Sequence, residues 1–178
     1  MATVILGICG SIAAYKAADV ASALVKRGHS VHCVCTPTAL RFVTPLTLMT
    51  LSRHPVISSF EDETQDWVPA HISLAQQADL LAIAPASAHT MACMAHGLAP
   101  NVLTSIYLAN RAPVLIFPAM NTHMWEHPAT QENVRCLAER GHSILGPAED
   151  GALACGATGK GRLLPVPEIV EAICTRLP

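Results

Sequence analysis

The sequence predicts one α/β domain, doubly wound, with a parallel sheet covered by helices on both faces. Short apolar runs recur along the chain, most are followed by a loop and a helical pattern, and a glycine-containing turn separates the first run from the first helix. Runs that stay apolar on both sides of the pleat suit strands covered from above and below, whereas a sheet with one wet face would alternate.

Taken in order, Thr3 to Cys9 (TVILGIC) reads as a buried strand. From Ser11 to Arg27, Ala, Val and Leu recur at helical spacing before Gly28 closes the helix. His29 to Thr36 (HSVHCVCT) repeats the strand signal, and Cys33 and Cys35 face one side of it and read as core. Pro45 to Leu51 is apolar enough for a short packed helix. Asp79 to Ala84 (DLLAIA) and Pro113 to Phe117 (PVLIF) are two more strands. Helices are expected over about Ala88 to His96, Asn101 to Ala109, Pro128 to Glu139 and Pro167 to Arg176, the last an amphipathic packing helix. Leu145 to Leu164 is glycine-rich and without period, a long loop of the kind that is usually functional or disordered. Neither a repeat nor a linker interrupts the chain, so a single Rossmann-like (flavodoxin-like) domain is expected over residues 1–178, with ligands beyond the carboxyl ends of its strands.

Composition narrows the function. The chain has 178 residues, 51% hydrophobic and 13% charged, enough for one core and too few for two. Its apolar runs are too short for a membrane span, and Met1 to Gly7 lacks the basic region of a secretory signal, so a cytoplasmic protein is expected. A net charge of -2 with only 11 Lys plus Arg and no basic run gives little ground for binding nucleic acid or an anionic membrane. Seven cysteines without a Cys-x-x-Cys pair argue against a disulfide framework and a zinc ribbon. So low a charge fraction in a small chain leaves apolar surface after folding, which predicts a homo-oligomer.

The turn Gly7-Ile8-Cys9-Gly10-Ser11-Ile12 allows a close approach to a ligand, and the helix that follows offers unpaired N–H groups to a phosphate. The same residues also suit a plain strand-to-helix turn with Ser11 as N-cap. The pattern is neither a Walker A loop nor Gly-x-Gly-x-x-Gly, so nucleoside triphosphates and NAD are not favoured. His123 and His127 are spaced to share a helical face, but no third ligand accompanies them and Pro128 interrupts the run, so no metal is expected. An imidazole at His71 can take a proton near neutral pH, an amide at Asn121 can bond a carboxylate without adding charge, and a thiol at Cys155 can act as an acid. A capping His, a capping Asn and an ordinary loop cysteine would look the same.

Four segments in register weigh these readings together. Gly10-Ser11-Ile-Ala-Ala-Tyr-Lys16, Pro85-Ala-Ser-Ala-His-Thr90, Pro118-Ala-Met-Asn-Thr-His-Met-Trp125 and Ala154-Cys-Gly-Ala-Thr-Gly-Lys-Gly-Arg-Leu163 resemble the signatures of the homo-oligomeric flavin-containing cysteine decarboxylases. The resemblance takes in Thr36 to Ser52 and His71 to Leu80 as well, and so covers almost the whole chain. It implies FMN held by Gly10, Ser11 and Ile12, by Thr36, by Ser87, Ala88, His89 and Thr90, and near Ala119. It implies His71 as base, Asn121 as the grip on the substrate carboxylate, Met124, Ala154, Gly156 and Arg162 as further substrate contacts, and Cys155 as proton donor on a mobile clamp over about 146–164.

In the mechanism this resemblance implies, the substrate thiol is deprotonated and hydride passes from its β-carbon to FMN. The resulting thioaldehyde stabilises the carbanion left by CO2, and the enethiolate is then reduced and protonated, with no external electron acceptor. The clamp sequence resembles the branch acting on 4′-phospho-N-pantothenoylcysteine, which yields 4′-phosphopantetheine for coenzyme A biosynthesis. Trimers with FMN at the subunit contact, assembly into dodecamers and a separate phosphopantothenate–cysteine ligase as partner are implied too. Competing readings are a peptidyl-cysteine decarboxylase of lantibiotic biosynthesis, a flavin prenyltransferase, which should lack Pro-Ala-Met-Asn and the cysteine loop, and a non-catalytic FMN-binding regulatory subunit. The chain departs from the commonest family pattern at Cys9 (usually Ser or Thr) and His89 (usually Asn), both in segments assigned to the flavin, and at Leu163, where Met is frequent.

Overall fold

Side-chain alternation along the strands sorts the core into two layers. The computed structural model describes residues 1–63, 69–149, 151 and 159–178. Its strands are β1 (Thr3–Ile8), β2 (Ser30–Cys35), β3 (Leu80–Ala86), β4 (Val114–Pro118) and β5 (Ser143–Ile144). Val4, Leu6 and Ile8 of β1 join Leu24 of α1 (Lys16–Lys26), Leu48 of α2 (Pro45–Ser52) and Ile169 and Ile173 of α8 (Val166–Arg176) on one face. Ile5 of the same strand joins Leu74 of α3 (Ala70–Gln77), Met91 and Met94 of α4 (Ala88–His96), Leu103 and Ile106 of α5 (Val102–Ala109) and Leu137 of α7 (Pro128–Glu139) on the other. Cys33 and Cys35 lie in the first layer, where burial pushes both thiols up to about 12. Phe117, among the largest fully buried side chains, contributes about 2–3 kcal/mol by leaving water.

The strand order is β2-β1-β3-β4-β5, all parallel. The chain leaves β1 toward one edge and returns beyond it to form β3, so the connections diverge between β1 and β3 and open a crevice at their carboxyl ends. This is the doubly wound domain that the sequence predicts. Among the described residues no helix is long and apolar enough to cross a membrane.

Several elements differ from the sequence expectation. The helix read from Ser11 begins as a 3-10 turn over Ile12–Tyr15, capped by Ser11 Oγ accepting from the Ala13 amide at 3.3 Å, and turns α-helical only at Lys16. The helix α3 leaves no signal in the sequence, because over residues 71–77 it buries only Leu74 and Ala75 and carries no apolar stripe. Two-residue β5 and the short α6 (Thr122–Glu126) are below the length at which periodicity registers.

The free edge of β2 is covered by the segment after α2. Ile57 bridges β2, its amide donating to Cys33 O and its carbonyl accepting from the Cys35 amide. Beside it His32 and His54 stack with ring centroids 4.1 Å apart, and both Nε2 atoms lie within 3.2 Å of Ser30 Oγ. One hydroxyl can donate to only one of them, so the two rings carry complementary tautomers there. Burial, with His54 alongside, holds the His32 imidazole down at about 4. The unfolded chain takes this proton near 6.5 and the folded one does not until about 4, so stability falls as pH drops through that window and is unaffected by this group above it. Discounted for partial exposure, the loss is about 1 kcal/mol. Urea midpoints at pH 7.5 and 4.5 should show it, and His32→Phe, which keeps the stack, should flatten the difference; an unchanged difference would assign the acid sensitivity elsewhere.

Candidate active site

Each wall of the crevice is built where a strand ends. After β1 the chain turns at Gly10, where a Cβ would lie 2.5 Å from Thr38 Cγ2 and 2.7 Å from Thr38 Cβ in the loop after β2. Only glycine lets the two loops close up. After β3, Ser87 caps α4: its Oγ accepts from the Thr90 amide at 3.3 Å and donates to Thr90 Oγ1 at 3.2 Å. The first amides of that helix, at Ala88 and His89, lie outside its own hydrogen-bond ladder and carry the positive end of its dipole. Beneath them Cys9 is fully buried; burial raises its thiol, with hydrogen bonds to Thr90 and Ser87 working the other way.

The end of β4 is tied on both sides. The Ala119 amide donates to Ala86 O at 3.0 Å, and the next amide, Met120, donates to Gly161 O at 2.9 Å. Asn121 then caps α6, its Oδ1 accepting from the His123 amide at 2.9 Å. An N–H needs an acceptor, so this bond orients the amide and leaves its NH2 as the donor end. Buried Trp125 anchors the helix, while Met124 is half exposed. His127 caps α7 through Nδ1, which accepts from the Ala129 amide at 3.2 Å. Among the described residues no three His, Cys, Asp or Glu side chains are grouped to hold a metal.

Across the top runs a strap formed by the two arms of the glycine-rich loop. Ala148 and Arg162 bridge antiparallel, the Ala148 amide donating to Arg162 O at 2.8 Å. Gly161 touches the Met120 carbonyl where any Cβ would collide. Ala154, Cys155 and Gly156, assigned to substrate from the sequence, lie outside the described residues.

These walls enclose a cavity of about 650 Å³. Gly10, Ser11, Ile12, Ser87, Ala88 and Ala119 line it together with Asn121, Met124 and Arg162. Thr36, His89, Thr90 and His71 do not. Thr36 and Thr90 are buried behind it, and His89 stands exposed on α4 with Nε2 3.6 Å from Cys93 Sγ. His71, half buried in the first turn of α3, packs edge-to-face with Phe60, the ring centroids 5.7 Å apart. Sequence reasoning missed Tyr15, Lys16, Met120 and Leu163, which also line the cavity. Tyr15 and Lys16 stand in the first signature segment, but the 3-10 turn before α1 changes which way they face relative to a continuous helix.

The residues present fit a flavin carrying a phosphate. The Ser87 hydroxyl and the helix N-terminus that it caps suit the phosphate, and Ile12, Ala88, Ala119 and Met124 offer apolar surface for a flat ring.

A family model described as Flavoprotein matches residues 1–178. The chain belongs to this family. It is 45% identical over 172 residues to a probable phosphopantothenoylcysteine decarboxylase of Streptococcus mutans, covering 96% of both chains. It is 46% identical over 171 residues to the coenzyme A biosynthesis bifunctional protein CoaBC of Vibrio vulnificus, but spans only 42% of that longer protein. Among solved structures, a cysteine-to-serine variant of PPC decarboxylase complexed with pantothenoylaminoethenethiol matches with a TM-score of 0.87 and 32% identity, over 98% of this chain and 97% of that one.

Proposed function

We propose that the chain is an FMN-dependent decarboxylase converting 4′-phospho-N-pantothenoylcysteine to 4′-phosphopantetheine in coenzyme A biosynthesis. The observation that carries it is Asn121: a neutral amide, fixed by its own helix cap, opens onto the same cavity as the phosphate-and-ring shelf at the β1/β3 crevice. Similarity over almost the full length of a probable phosphopantothenoylcysteine decarboxylase supports the substrate.

Bound FMN supplies an acceptor for hydride from the β-carbon of the substrate cysteine and a store from which it is returned. Gly10, Ser11, Ile12, Ser87, Ala88 and Ala119 would hold it, with Thr90 bracing Ser87 and Thr36 and His89 flanking. Asn121 donates its NH2 to the substrate carboxylate, which holds the group without opposing loss of its charge as CO2. Met124 packs the substrate, and the strap carrying Arg162 excludes water from the carbanion. His71 takes the thiol proton and Cys155, with Ala154 and Gly156 beside it, returns one to carbon.

His71 lies outside the cavity of its own subunit, and Ile12, Tyr15, Phe42, Leu46 and Met49 leave large apolar surface exposed. Both support a homo-oligomer, a trimer or a dodecamer assembled from trimers, in which a neighbouring subunit's His71 completes the site. The test is mass spectrometry of the FMN-loaded protein with 4′-phosphopantothenoylcysteine. A product lighter by CO2 with no net oxidation is expected; an inert substrate with a yellow, folded oligomer would move the reading to a peptide ending in cysteine or to a regulatory subunit.

A further inference from the structure

We propose that Lys16 reads the phosphate end of the substrate and so makes the site selective for a phosphorylated thiol acid. The inference rests on the decarboxylase reading above and adds the residue that recognises the part of the substrate furthest from the reacting cysteine.

Among the described residues two cationic side chains line the cavity, Lys16 and Arg162. Arg162 belongs to the strap: its guanidinium packs against Gly151 on the opposite arm of the same loop, where a Cβ would run into Nη1. Lys16 sits on the rigid floor, as the first residue of α1, held there by the capped turn before it and by fully buried Ala17 behind it. Among the described residues it has no ion-pair partner, although Asp19 stands three residues on in the same helical turn.

Its position also opposes the helix. A lysine in the first turn faces the positive end of the dipole, an unfavourable placement. A bound dianion removes that opposition by pairing with the ammonium, the Lys16 amide itself being taken up by the carbonyls of Ala13 and Ala14. The flavin phosphate already has its own set of donors at Ser87 and the start of α4, on the far side of the β1/β3 crevice. Asn121 takes the carboxylate with a neutral group, so the one free cation of the cavity floor among the described residues is left for a second anion. Of the anionic groups on the proposed substrate, the phosphate alone remains.

The experiment compares turnover of 4′-phosphopantothenoylcysteine with that of its dephosphorylated form, by FMN-loaded wild type, Lys16→Gln and Lys16→Arg. Wild type should prefer the phosphorylated substrate. In Lys16→Gln that preference should fall by about ten- to hundred-fold, through KM more than kcat, with flavin content retained, and Lys16→Arg should restore part of it. Equal losses on both substrates, no loss, or a colourless Lys16→Gln would overturn the assignment, the last by giving Lys16 to the flavin. A wild type that turns over both substrates equally well refutes the phosphate role alone, whereas one that turns over neither refutes the decarboxylase reading and this inference with it.

Discussion

Asn121→Asp should lose about 10²- to 10³-fold in kcat/KM while the protein stays yellow and folded. Asp is isosteric with Asn and as good an N-cap, so its carboxylate can still accept from the His123 amide and α6 should form as before. What disappears is the donor end of the amide. In its place a fixed negative charge faces the substrate carboxylate, so the change both removes a bond and adds a repulsion in a partly desolvated cavity. Flavin absorbance, melting temperature and turnover measured on one preparation separate the effects. A colourless or unfolded variant would assign Asn121 to cofactor or fold, and an active one would remove it from carboxylate binding.

Gly161→Ala should be comparably damaging for a different reason. The Cβ would press on the carbonyl oxygen of Met120, which is backbone and cannot swing aside, and Gly161 has a φ of 155° that side chains rarely adopt. The strap must then lift, breaking the 2.9 Å bond from the Met120 amide to Gly161 O one residue before Asn121. Turnover should fall at least about 100-fold and stability by roughly 1–2 kcal/mol. Flavin content should be nearly normal, since the β1 and β3 ends of the shelf do not involve the strap. Wild-type kinetics in this variant would mean that the close approach of strap to β4 has no part in catalysis.

How much of this was legible in the sequence depended on what each signal measures. Continuous apolar runs such as TVILGIC record burial on two faces, so β1 to β4 could be read to within two residues at each end. Residues 71–77 bury a narrow face and record almost nothing, so the helix carrying His71 is not legible in the sequence. The signature segments identified which loops form the crevice, and Gly10, Ser11, Ser87, Ala119 and Asn121 do meet there. Motif spacing cannot tell which way a residue in a turn or helix points. Thr90 turns inward behind Ser87, His89 turns out toward Cys93, and Tyr15 and Lys16 swing into the cavity. The loop spacing was likewise silent on how the arms of the strap join, because the Ala148–Arg162 bridge depends on glycines whose partners are distant in sequence.

Several of the residues assigned to ligand are also the residues that begin helices. Ser11 starts the 3-10 turn, Ser87 starts α4 and Asn121 starts α6, each through its side chain. Selection for a new substrate at these positions therefore acts on two traits at once, and replacing a cap by Ala costs about 1 kcal/mol whatever it does for binding. Met124 and Arg162 line the same cavity and cap nothing. Evolutionary drift in specificity should accordingly run through those two positions, Lys16 and the strap, leaving the side-chain caps as the inherited frame on which different thiol acids are tried.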